Sequence, residues 1–231
     1  MVGQAEAING DMKVRAVMDT QEMDWAPSPS GTVLRKRLHL VGHAESGQVT
    51  SFVRYLPGST FPEHGHPEGE EIFVVQGIFS DHLGDADEGT HLLNPEGFRH
   101  APYSESGCLI LVKLRQYAGE GRQFHRTRTR TMAWTDTGLR GIEQKLLYKD
   151  DRFPDVTRLE RWAPGSVPGP RQLPGGAELF IIEGALEDEH GRFTRGTWLR
   201  LPAGARLDAH SQNGCVAYVK TGAVSSLRSS Q

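Results

Sequence analysis

Gly58-Ser-Thr-Phe-Pro-Glu-His64-Gly-His66-Pro-Glu-Gly-Glu70-Glu71-Ile-Phe-Val-Val-Gln-Gly77 sets two histidines and a glutamate within seven positions of a turn that runs into an apolar strand pattern. A second segment, Gly89-Thr-His-Leu-Leu-Asn-Pro95-Glu-Gly97-Phe-Arg-His100, supplies a third histidine from another turn. Imidazole and carboxylate are the usual non-thiolate ligands of Zn, Fe, Mn, Ni and Cu. In His64-Gly-His66 the two imidazoles share a strand face, so both can point inward.

The same scaffold returns at an offset of 107 residues (171 − 64 = 107), and that repeat decides what the histidines mean. Arg54-Tyr55-Leu56-Pro57-Gly58 reappears as Arg161-Trp162-Ala163-Pro164-Gly165. Gly77, Asp81, Gly84, Gly89, Pro95 and Gly97 reappear as Gly184, Asp188, Gly191, Gly196, Pro202 and Gly204. Upstream, Met23 and Trp25 match Met132 and Trp134 at an offset of 109 (134 − 25 = 109), so two loop residues are missing from the second copy. All four ligand candidates change: His64 to Arg171, His66 to Leu173, Glu70 to Ala177 and His100 to Leu207. Polar decoration would not vanish in concert while the turn glycines and prolines persist. The first copy is therefore expected to hold one divalent metal through His64, His66, Glu70 and His100. Glu71 persists as Glu178 in the copy without histidines, so it is read as structural. Leu173 and Leu207 are expected to pack an apolar centre, and Arg171 to be a surface or salt-bridged arginine rather than an anion ligand.

Short apolar runs punctuated by 27 glycines and 13 prolines indicate an all-β protein, and the repeat divides it into tandem domains. The expected division is residues 1–118 for the metal-binding barrel and 119–231 for the degenerate one, with a linker near Tyr117–Arg122. If Glu70 faces inward, so do Ile72 and Val74, with Glu71, Phe73 and Val75 on the opposite face. The equivalent inward pair is Leu179 and Ile181. Apolar residues on both faces imply a covered outer face, by the sister domain or a second subunit, and hence a homodimer.

At 231 residues with 37% hydrophobic and 24% charged content, the chain can bury a sizeable core. A net charge of −3 gives no electrostatic case for nucleic acid or a membrane surface. No signal peptide or membrane span is recognisable, and the polar opening MVGQAEAING is expected to be frayed. Cys108 and Cys215 are repeat-equivalent, so they have no particular reason to meet; buried thiols and a cytoplasmic setting follow. Arg122 to Arg130 reads as a basic strand with one solvated face. His39, His43, His82, His91, His190 and His210 lack ligand spacing and are assigned surface or hydrogen-bonded roles.

The two motifs, Gly58-x5-His64-x-His66-x3-Glu70-x6-Gly77 and Gly89-x5-Pro95-x-Gly97-x2-His100, resemble those of the cupin superfamily; Ser104 departs from the usual Asn. The stretch from Trp25 to Cys108 is similar to the cupin domain of ChrR-type anti-sigma factors. The resemblance implies two tandem cupin jelly-roll barrels, the first with its ligands inside. In ChrR-type proteins the matching residues hold zinc. Their N-terminal sigma-binding domain has a histidine–cysteine motif; no cysteine precedes Cys108 here, so anti-sigma activity is not carried over. The same histidine pattern occurs in iron dioxygenases that cleave diketones. Two functions follow: a metal-dependent sensor or binding protein for a small-molecule ligand in the first barrel, with zinc, or an oxygenase-like enzyme with Fe, Mn or Ni acting on a diketone or hydroxyacetophenone. The residues alone name no catalytic acid or base.

Overall fold

The computed structural model describes residues 6–230. Its elements are short strands, with two single-turn 3-10 helices among the described residues, Thr129–Thr131 and Val224–Ser226. Among the described residues no helix is long and apolar enough to cross a membrane. The chain forms two units. Among the described residues, the first comprises 6–10, Met23–Thr131 and Ser230, and the second Asp11–Glu22 and Met132–Ser229.

In the first unit the main sheet runs Glu6–Ile8, Val33–Gly42, Gln48–Tyr55, Cys108–Leu114, Glu70–Asp81, Thr90–Asn94, His125–Arg128. A small sheet pairs His64–Gly65 with Arg99–His100. The second unit repeats this: Thr135–Asp136, Ile142–Lys149, Val156–Trp162, Cys215–Thr221, Ala177–Asp188, Thr197–Leu201, Ala16–Asp19, with Arg171–Leu173 against Ala205–Leu207. Both are antiparallel jelly rolls.

Two segments pair outside a division at 118/119. His125–Arg128 completes the first sheet and Ala16–Asp19 the second, and the two are equivalent in the repeat (16 + 109 = 125). The basic segment has its solvated side satisfied at carbonyls and carboxylates. Arg126 donates to the carbonyl of Leu83 at 3.0 Å, and Arg128 lies 3.7 Å from Asp87. Part of the N-terminal stretch expected to fray is a strand instead: Ala7 pairs with Val41 and Ile8 with Leu40, because the edge of Val33–Gly42 offers unpaired backbone groups. The rest of that stretch, 1–5, lies outside the described residues.

The expected register holds. Ile72 and Val74 enter one apolar cluster with Val33, Val53, Ile110 and Val112, while Leu179 and Ile181 enter the corresponding cluster of the second unit. Each long strand carries a bulge at the same place, opposite Leu109/Ile110 and at Ile181/Glu183. Each bulge is followed by a positive-φ glycine, Gly77 at 78° and Gly184 at 69°. A Cβ on Gly77 would collide with the carbonyl oxygen of Gly107. Gly77→Ala is therefore expected to cost at least about 2 kcal/mol, from left-handed strain plus the clash, measured by urea denaturation.

The retained tryptophans have a physical reason. Lys36 Nζ and Arg54 Cζ each lie 4.3 Å from the Trp25 ring, and Lys145 and Arg161 lie 4.6 Å from that of Trp134. The cysteines are free and buried, and burial pushes Cys108 up to about 11 and Cys215 up to about 12. At neutral pH both are inert thiols.

The centre of the second unit is filled by Leu173, Leu207, Leu179, Ile181 and Leu201. It also has a polar element. Glu160, 1% exposed, binds Arg171 at 2.8 Å and Arg158 at 2.8 Å. In the first unit these three positions are Val53, His64 and Ser51. An ion-pair cluster around a buried glutamate and aliphatic side chains thus stand at the positions of the candidate ligands. Burial alone would raise the Glu160 pKa, but the two guanidinium groups outweigh it and hold the carboxyl below its usual range.

Candidate metal centre

The site is assembled by one turn and one short antiparallel pairing. His100 stands directly opposite His64 across the small sheet. The His66 N–H donates to the carbonyl of Phe98 at 2.9 Å, and the His66 carbonyl accepts from Gly97 and Gly69. Glu68 and Gly69 then adopt consecutive left-handed conformations, φ 62° and 72°, which redirect the chain so that Glu70 begins the long strand facing inward. Any side chain at Gly69 would meet the Tyr117 Cβ at 2.8 Å, so the Pro67-Glu68-Gly69 turn has one viable residue at its end.

His64, His66 and His100 each offer a ring nitrogen, all within 4.8 Å of one another, and could hold a metal ion. His66 Nε2 and His100 Nε2 are 2.9 Å apart. Glu70 Oε2 stands 3.4 Å from the first and 3.6 Å from the second. Ligands about 2.1 Å from a shared ion stand roughly 3.0–3.4 Å apart, so these separations suit a common partner. Hydrogen bonds at the far ring nitrogens set two tautomers. His64 Nδ1 donates to the Pro62 carbonyl at 2.8 Å and His100 Nδ1 to Asp81 at 3.2 Å, leaving both Nε2 lone pairs free. Asn94 donates to Glu70 Oε2 at 2.8 Å.

At two of the histidines, electrostatics favours the ligating state. Burial, then His100 and Arg115, lower His66 to about 3, and burial lowers His64 as well. Both rings are neutral at pH 7, so neither must lose a proton to bind a cation. Burial raises Glu70, against the pull of His100 and Asn94. Burial thus favours the protonated acid at Glu70, and a divalent ion bound beside it would displace that proton.

The site opens into a cavity of about 330 Å³. Its walls include Val33, Val53, Phe61, Phe79 and Ile110, with Ser51, Tyr55, Arg115 and the Arg35–Glu45–Arg37 cluster as polar groups. Glu71 behaves as its persistence in the repeat suggested. It faces away from the cavity, accepts a hydrogen bond from Tyr117, and lies 2.7 Å from the buried His91. His39 and His91 are both fully buried, and His39 bonds the Asn9 carbonyl.

Three groups escaped the sequence reading: Asp81, Asn94 and Arg115. Asn94 and Arg115 become Leu201 and Gly222 in the second copy, so the comparison that selected the ligands also carried them. Asp81 was hidden because it persists as Asp188, which there binds Arg15 at 2.6 Å instead. Asp81→Asn is expected to weaken metal affinity about 10–100-fold with the fold retained, since it removes the carboxylate orienting a ligand. Competition with a metallochromic chelator measures this.

Residues 13–118 and 122–225 each match the ChrR cupin-like domain family. The chain belongs to that family. No curated protein matches it significantly. Solved structures share the two-domain cupin fold. A Nostoc punctiforme protein, provisionally described as a dioxygenase, is 17% identical with TM-score 0.73, covering 93% of this chain and 85% of its own. Protein YlbA of Escherichia coli is 14% identical with TM-score 0.69, covering 95% and 94%. Bacillus subtilis oxalate decarboxylase is 12% identical with TM-score 0.63, covering 90% and 76% in one of its mutants. At these identities the likeness concerns the fold.

Proposed function

We propose that the first cupin barrel is a metal-dependent small-molecule binding site, with one divalent ion held by His64, His66, His100 and Glu70. The observation that carries this reading is the cavity of about 330 Å³ whose wall includes all four of those residues. A purely structural ion would need no such space. The bound ion would supply Lewis acidity and, with one carboxylate ligand, a local charge near +1. Asp81 and the Pro62 carbonyl hold the ring protons away from the lone pairs, and Asn94 orients the glutamate. Val53, Phe79 and Ile110 keep the surroundings of low polarity, which strengthens any charge interaction inside.

Zinc suits a sensing or carrier role. A second reading, oxygen-dependent cleavage of a diketone or hydroxyacetophenone with iron, manganese or nickel, is favoured by the same cavity. Six-coordination by four protein ligands leaves two positions on the ion. Metal analysis of purified protein, followed by anaerobic Fe(II) loading and oxygen-uptake assays, separates them. Uptake proportional to iron content supports the enzyme; zinc as isolated and no uptake with either substrate class supports binding. Buried free thiols suit the reducing cytoplasm, and a homodimer is tested by light scattering.

A further inference from the structure

The metal cavity contains a cation that the barrel leaves unneutralised. Arg35 and Arg37, also in its wall, are both held by Glu45, at 3.0 Å each. Arg115 lines the same space, and its guanidinium has no ion pair or hydrogen bond among the described residues. Its backbone, by contrast, is firmly held. The N–H donates to the Gly69 carbonyl at 3.0 Å and the carbonyl accepts from Gln48 at 2.9 Å. It follows directly on Leu114, whose register partner is Glu70.

The backbone conformation is unusual for this residue. Arg115 has φ 60°, in the left-handed region that favours glycine. The second copy uses glycine there, Gly222 at φ 85°. That copy has Arg171, Leu173, Ala177 and Leu207 in place of the three histidines and Glu70. The first copy keeps a strained arginine at the one place where its side chain lines the metal cavity, which is where conformational strain is usually tolerated for function. The rest of the wall is mostly aliphatic and aromatic: Val33, Val49, Val53, Phe61, Ile110 and Leu114.

Building on the proposed metal site, we infer that Arg115 is its specificity-determining residue, binding the carboxylate of a small ligand whose apolar body lies along the valine and phenylalanine wall. A single guanidinium fork matches a carboxylate in a bidentate pair. A phosphate dianion would bring a second negative charge against Glu45 and Glu70 in the same wall.

The test uses the full chain, with metal content measured on every sample. Arg115→Gly copies the second repeat and relieves the positive φ, so it should melt at the same temperature or higher. Hexanoate and 3-phenylpropanoate are titrated calorimetrically against their primary amides. Wild type should bind each acid at least about tenfold more tightly than its amide, the effect of one charge-assisted pair. Arg115→Gly should lose that preference while keeping amide affinity and metal content. Arg115→Lys should recover part of it. A preference that survives in Arg115→Gly, or acids that fail to outbind amides in wild type, would overturn the assignment. So would the absence of any acid binding in protein holding one ion per chain. Wild type without metal would instead sink the metal reading, and the acid–amide comparison on that protein would still decide the role of Arg115.

Discussion

His100→Ala should reduce the bound metal from one ion per chain to a trace, with affinity lowered by more than the 10–100-fold typical of an orienting partner. His64, His66 and Glu70 come from one turn, while His100 is the ligand brought in by pairing across the small sheet. Without it, the remaining nitrogens have no counterpart on the opposite side, and Asp81 loses the ring that it orients. Elemental analysis of wild type and variant after dialysis against excess zinc reads the loss. His82→Ala, whose ring stacks on Phe98 at 5.7 Å outside the ligand set, serves as the control and should retain its ion. The thermal stabilisation that added metal gives the wild type should also disappear, because a ligand stabilises only the state that binds it. A variant that still holds one ion per chain would refute the site.

Glu160→Gln should destabilise the second barrel by about 3 kcal/mol, since it leaves the partly buried Arg158 and Arg171 side by side without their buried counter-ion. The pH dependence identifies the cause. Glu160 is held below its ordinary value of 4.5 in the folded protein, so its contribution is complete above about that pH. It is lost as pH falls through the depressed folded value. The gap between wild type and Glu160→Gln should therefore be constant from neutral pH down to about 4.5 and shrink below it. Replacing the whole cluster with its first-barrel counterparts in apolar form, Arg158→Ser, Glu160→Val and Arg171→Leu, should cost less than Glu160→Gln alone. Removing every charge leaves no unpaired ion, only the Trp162 indole N–H that donates to Glu160 at 3.2 Å. Urea denaturation across pH measures all three comparisons.

Much of this was legible because the chain contains its own control. Turn glycines and prolines that recur at a constant offset specify backbone, and both bulge glycines behave as that recurrence implies. Candidate ligands that vanish together point to chemistry, and on that ground the sequence separated Glu70, which lies 3.4 Å from His66, from the adjacent Glu71, which bonds His91. The same reasoning failed where one residue does different work in the two copies. Asp81 orients a histidine while Asp188 binds an arginine, and Glu160 occupies the place of a valine. Recurrence reports a shared backbone need and is silent on what a side chain meets.

Periodicity and spacing determined the all-β class, the duplication, the inward faces of the long strands and which copy carries the histidine cluster that could hold a metal. Those properties are local, set by alternation along a strand and by residues that only particular turns accept. Tertiary structure alone decided that His125–Arg128 and Ala16–Asp19 complete the two sheets, that a buried charge cluster stands in for the lost ligands, and that Arg115 overlooks the cavity. Each depends on which distant segments come within a few ångströms, and desolvation and ion pairing at that range leave no periodic trace in the chain.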